Sequence, residues 1–152
     1  SVLIHARGKF ISVRNSNECA YNIILSTEII GISHLEREII ANVVRYNIRD
    51  FDYNMVRMET ELDEVTDSFS GQNEVMLLIA KLTAMLRLAN SMDRGHGAKL
   101  ADCRMTVKDQ NLIITTDYHG DITLEAVSFE QKAAFFEEIF GIRPVLRHKK
   151  YV

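Results

Sequence analysis

The residues best suited to chemistry are gathered at 87–96. Arg87, Asn90 and Arg94 recur at i, i+3 and i+7, the spacing that places side chains on one face of a helix. Two guanidinium forks and an amide suit phosphate oxygens, because a planar fork donates two parallel hydrogen bonds to two oxygens. Asp93 and His96 stand beside them. Asp93 and Arg94 equally suit a local ion pair that closes the turn. Lys9, Arg14 and Arg45 are candidate additions to the same cationic surface, and the basic tail Arg147-His148-Lys149-Lys150 offers a further contact. His5 ends an apolar run. It reads either as a core histidine with one hydrogen bond or as part of a polar, anion-accepting site. Cys19 and Cys103 are the only cysteines and lie far apart, so no CxxC or Cys/His metal spacing exists. They fit reduced thiols in a cytoplasmic protein.

The bulk properties narrow the classes. The 152 residues suffice for one domain, or one domain with a small appendage. A net charge of −3 gives no global electrostatic case for nucleic acid or a membrane surface. No uninterrupted apolar run reaches about 18 residues, so a membrane span is not expected. Nothing resembles a signal peptide. Ser1 starts the sequence and apolar residues begin at Val2 with no helix cap before them, which predicts a piece of a longer chain.

The elements that must position these residues follow from pattern. Val2 to Ser12 reads as the end of a buried helix and a turn at Gly8. A helix is predicted over about 17–26, where Tyr21, Ile24 and Leu25 share a face; Glu18, Cys19 and Tyr21 read as ordinary residues of it. Ser33-His34-Leu35-Glu36 is a capping box, which opens a helix to about Asn47 with Leu35, Ile39, Ile40, Val43 and Tyr46 as its buried stripe. Residues 50–74 hold eight acidic residues against Arg57, an exposed acidic stretch. A short helix is expected near 51–58, and 67–72 reads as loop. The strongest helix is predicted over 73–92, with Val75, Leu78, Ile79, Leu82, Met85, Leu86 and Ala89 covering its apolar face. Asp93-Arg94-Gly95-His96-Gly97 breaks it.

After residue 100 the period shortens. Residues 103–107, 112–116 and 122–127 read as three strands, separated by turns at 109–111 and 119–121. A helix over 128–140 follows, capped by Ser128 and stopped by Gly141. Pro144-Val145-Leu146 reads as an edge strand. The predicted class is α+β: a mainly helical core over 1–100, followed by a small β-β-β-α-β appendage over 101–152.

Taken in order, several segments resemble the C-terminal region of the exopolyphosphatase and guanosine pentaphosphate phosphohydrolase family. They are His5-Ala6-Arg7-Gly8-Lys9-Phe10-Ile11, the stretch from Ile30 to Glu38, and Ile40-Ala41-Asn42-Val43-Val44-Arg45-Tyr46. The stretch from Leu86 to His96 follows, and then the closing helix from Phe129 to Gly141. The resemblance implies an N-terminally truncated HD-like helical region. It lies C-terminal to two actin-like domains that hydrolyse polyphosphate or guanosine pentaphosphate with a divalent metal such as Mg²⁺. It implies a role in binding long anionic substrate, in homodimerisation or in regulation, and no specific nucleic acid.

The resemblance also implies a lost metal site. Ala6 stands where the HD pair has its aspartate, and His5 remains alone. Asn17 and Cys19 stand where the family often has histidines, as does Asn47. Asn90 stands where HD hydrolases carry their last metal aspartate. Neutral amides are poor ligands for a catalytic transition metal. His5, Asn17, Cys19 and Asn90 therefore read as a vestigial site that holds no metal. The fragment itself is expected to be non-catalytic and to need no cofactor. The alternatives are an active metal-dependent HD phosphohydrolase and a pure dimerisation module.

Overall fold

Ser33 opens the best-defined helix as its sequence demands. In the computed structural model, which describes residues 16–53, 56 and 69–148, the Ser33 hydroxyl accepts the Glu36 N–H at 3.2 Å. The Glu36 carboxylate accepts the Ser33 N–H at 2.8 Å. That reciprocal pair holds the Glu36 carboxyl below its ordinary range. The described residues form four helices and three strands in the order α1 (Ser16–Ser26), α2 (His34–Tyr46), α3 (Phe69–Met92), β1 (Cys103–Lys108), β2 (Asn111–Thr116), α4 (Thr123–Phe140) and β3 (Arg143–His148). The α+β class, with helices before a small strand-bearing region, is the one the sequence predicts. Of the predicted short helix near 51–58, residues 51–53 and 56 are described and are not helical; its other residues and most of the acidic stretch lie outside the described residues.

Packing divides the chain into two units, Ser1–Ala80 and Lys81–Val152, with the division inside α3. In the first unit α1 packs on α2. The buried side of α2 is rotated from the expected stripe. Ile39, Ala41 and Tyr46 are buried, but so are Glu38 and Asn42, whereas Ile40 is exposed. The Asn42 amide donates to the Glu38 carbonyl at 2.9 Å, which removes much of the cost of burying it.

Helix α3 begins at Phe69, so residues 69–72 are helical and not loop. Extending a long helix by a turn adds about one hydrogen bond per residue fixed, and this outweighs the roughly 1 kcal/mol penalty of Gly71. Its buried residues are Ile79, Ala80, Thr83, Ala84, Arg87, Leu88 and Ser91, while the expected core residues Leu78 and Met85 are exposed. A helix apolar on nearly every side does not declare its buried face, and here the small residues let neighbours approach closely. The segment Gly71–Met92 is also long and apolar enough to cross a membrane by length and composition, which corrects the expectation that no segment is.

In the second unit β2 is central, antiparallel to β1 and parallel to β3. The β1–β2 turn is the two-residue loop Asp109-Gln110. Both residues have positive φ, 51° and 59°, as the right-handed strand twist favours. The predicted third strand over 122–127 does not exist: those residues are Ile122 and the first turns of α4. Ile122, Glu125, Phe129, Ala133 and Phe136 are buried, a helical spacing. The alternation that suggested a strand arose because a carboxylate, Glu125, takes a core position and Leu124 and Val127 stay exposed. Asp121, not Ser128, serves the helix start, accepting the Thr123 N–H at 2.9 Å and its hydroxyl at 2.6 Å. Gly141 ends α4 in the left-handed conformation, φ 70°. The core joins Ala84 and Leu88 of α3, Ile114 of β2, and Phe129 and Phe136 of α4.

Candidate functional site

The loop after α3 is an exposed segment of the second unit held by side-chain hydrogen bonds. The Asp93 carboxylate accepts the Ala98 N–H at 3.0 Å, and its other oxygen lies 3.9 Å from His96 Nδ1. This aspartate thus closes its own turn through Ala98 and His96. His96 and Ala98 both hold positive φ, 51° and 49°. Such residues cost roughly 1–2 kcal/mol each outside glycine. The cost is offset from below by Glu125, whose side chain is 1% exposed. One Glu125 oxygen accepts the Gly95 N–H at 3.1 Å and the other accepts from Lys99 Nζ at 3.3 Å. Lys99 also donates to the Asp121 carbonyl at 3.0 Å.

A carboxylate at a helix N-terminus is favoured by the unpaired amides there. The Glu125 carboxyl is accordingly held below its usual range, first by its own N–H and then by Lys99 and Gly95, against the opposing effect of burial. A Cβ at Gly95 would lie 2.7 Å from Glu125 Oε1, so a side chain there would have to displace that carboxylate. The result is a fixed platform that carries Arg94 and His96 into solvent; the His96 side chain is 92% exposed.

The helix-face cluster separates on this platform. Asn90, Arg94 and His96 are exposed. Arg87 is not with them: it is 8% exposed and its guanidinium lies 4.7 Å from the Phe135 ring centroid. Arg45 is also engaged. It donates twice to Glu18, at 2.7 and 3.0 Å, and stacks 4.8 Å from the Tyr21 ring centroid. Arg49 completes a three-residue group at 3.1 Å from the same carboxylate. In this unit Tyr46 is buried beside Arg45, and burial pushes its hydroxyl pKa up. Lys9, Arg14 and His5 lie outside the described residues. Of the proposed vestigial set, Asn17 and Cys19 lie on α1, and Cys19 is exposed with a free thiol. The described residues contain no group of three or more His, Cys, Asp or Glu placed to hold a metal ion.

Two residue pairs that matter here carried little local signal. Glu18 and Arg45 are 27 residues apart in sequence. Lys99 and Glu125 are 26 apart. The one available hint was Glu125 as an acidic residue close after Asp121 and Thr123, a pattern that suits a helix start.

The chain matches the family model described as Ppx/GppA phosphatase, domain III, over residues 1–133. The match ends inside α4, so β3 lies beyond it. No curated protein matches the chain.

Proposed function

The chain belongs to the Ppx/GppA phosphatase domain III family, and on that premise we propose that it is a non-catalytic accessory domain of an exopolyphosphatase-type phosphohydrolase. Its task is to hold the anionic substrate, polyphosphate or guanosine pentaphosphate, while hydrolysis proceeds with a divalent metal in N-terminal actin-like domains of the parent enzyme. The observation that carries this reading is the platform after α3. Arg94 and His96 project from a loop whose shape is held by Asp93, Glu125 and Lys99. A loop whose backbone is already held loses less conformational entropy when its side chains meet a phosphate, and that favours binding. Arg94 has no ion-pair partner among the described residues, so its fork is available to an incoming phosphate. Asn90 stands exposed one helical turn before it.

The donor set argues for binding over hydrolysis. An exposed cysteine and neutral amides supply little to hold a catalytic cation. Homodimerisation is a second role the family resemblance implies, and the parent enzyme would act in the cytoplasm. The test is affinity for long-chain polyphosphate at low salt. Binding should weaken as salt rises, and Arg94→Gln with His96→Gln should weaken it by about tenfold. A chain that forms a stable dimer but binds no polyphosphate at low salt would be a dimerisation module instead. Mn²⁺-dependent hydrolysis of phosphate esters, lost in Asn90→Ala, would make it an active HD hydrolase.

A further inference from the structure

The two faces of the three-stranded sheet have opposite chemistry. Strand register places Cys103, Met105, Val107, Leu112, Ile114, Thr116, Pro144, Leu146 and His148 on one side. That side includes Ile114, Leu112, Leu146 and Cys103 of the hydrophobic core. The other side consists of three cross-strand rows: Arg104–Thr115–Arg147, Thr106–Ile113–Val145 and Lys108–Asn111–Arg143. Four of these nine residues are basic and none is acidic. Arg104, Thr106, Lys108 and Arg147 are exposed, and Thr115 between the two arginines is half-buried.

The cations differ in their freedom. Arg143 is held by Glu137 at 2.9 Å and by Glu130, both on α4. Those carboxylates keep it charged and occupied. Arg104, Arg147 and Lys108 have no ion-pair partner among the described residues. The nearest acids in sequence, Asp102, Asp109 and Asp117, stand at strand ends and outside the three rows. Arg104 and Arg147 flank β2, so their backbones are about 10 Å apart, twice the strand spacing. Both forks can therefore reach one chain of phosphates lying over Thr115. The sequence continues from Arg147 into Lys149 and Lys150.

We propose that this open sheet face is a second phosphate-chain subsite, in which Arg104 and Arg147 grip a linear polyphosphate over Thr115 and Lys108 extends the track. The inference rests on the polyanion-binding reading above, and it adds a surface partly built from β3, which lies beyond the family match. The face carries no aromatic side chain in any of its three rows, so it offers no platform on which nucleic-acid bases can stack. A bare phosphate chain needs none. The hydroxyls of Thr106 and Thr115 supply neutral donors between the cations.

The test uses the full 152-residue chain and long-chain inorganic polyphosphate, with affinity measured by calorimetry from 20 to 200 mM salt. Arg104→Gln with Arg147→Gln should weaken binding by about tenfold and lower the slope of log K against log salt by about 1–2. Lys81→Gln with Lys132→Gln, an equal charge loss off the sheet, should change affinity by less than about twofold. If wild-type chain binds and the sheet variant binds equally well, the sheet subsite is refuted while the accessory-domain reading stands. An equal loss in the off-sheet control would also refute it, because net charge alone would then explain the effect. If wild-type chain binds no polyphosphate at 20 mM salt, the accessory-domain reading fails and the subsite with it. A single-stranded oligonucleotide of equal charge that competes as strongly as polyphosphate would overturn the choice of ligand.

Discussion

Arg87 is the sharpest point at which sequence spacing and structure part, and it yields a quantitative prediction. The helix-face pattern groups it with Asn90 and Arg94 as a phosphate ligand. The structure seats it against Phe135, with 8% of its surface exposed. Arg87→Ala then removes a desolvated cation–π contact of about 2 kcal/mol. It also removes two packed methylenes at about 0.8 kcal/mol each. Release of a buried charge from its desolvation cost offsets part of this. The expected destabilisation is about 3 kcal/mol, or a fall of about 1.5 M in the urea midpoint at an m-value near 2 kcal/mol/M. Arg87→Met keeps most of the stem and should recover about half the loss. Polyphosphate affinity, measured where each variant is fully folded, should change by less than about twofold. A variant of unaltered stability that loses tenfold or more in affinity would refute the assignment and return Arg87 to the ligand surface.

Two further perturbations probe the second unit. Gln110→Gly removes a side chain from a position at φ 59° and should stabilise the hairpin by about 0.5–1 kcal/mol, seen as a higher thermal midpoint; a lower midpoint would mean that Gln110 is not held in the left-handed region. Glu125 has a folded-state pKa depressed below 4.5. Its contribution is therefore complete above the unfolded value and is lost as pH falls through the folded one. Urea unfolding from pH 6 down to pH 2.5 should show a shallower decline for Glu125→Gln than for wild type, and parallel declines would sever Glu125 from the acid sensitivity.

Local chemistry was legible where a few adjacent residues decide the outcome. The Ser33–Glu36 box, the left-handed stop at Gly141 and the tight turn at 109–110 each need only one or two side chains or a backbone preference. The edge placement of Pro144 was legible for the same reason, since its missing N–H cannot serve a central strand. The readings that failed depended on distant partners. Residues 122–127 alternate like a strand because Glu125 looks like a solvent position. It becomes a core position only when Lys99 and the Gly95 amide, far back in sequence, meet its two oxygens. The buried face of α3 was illegible for a different reason. With apolar residues on every side, the choice fell to the small residues Ala80, Thr83, Ala84 and Ser91, whose advantage is close packing and not hydrophobicity.

The arginines show how the same limit governs function. As residue types they are interchangeable candidates for phosphate; spacing favoured Arg87 and Arg94, with Arg45 as an addition to their surface. Folding sorts them by what lies within reach of each guanidinium. Both Glu18 oxygens occupy the Nε–Nη2 edge of the Arg45 fork, Phe135 covers Arg87, and Glu130 with Glu137 holds Arg143. An arginine already paired with a carboxylate must give up that pair to take a phosphate, and so gains little from the exchange. Arg94, Arg104 and Arg147 have no such exchange to make among the described residues. A polyanion should therefore prefer the loop after α3 and the open sheet face to the helix face that spacing alone selects. This preference is available only because acids on α1 and α4 neutralise the other cations, which gives the chain local positive surfaces despite its net charge of −3.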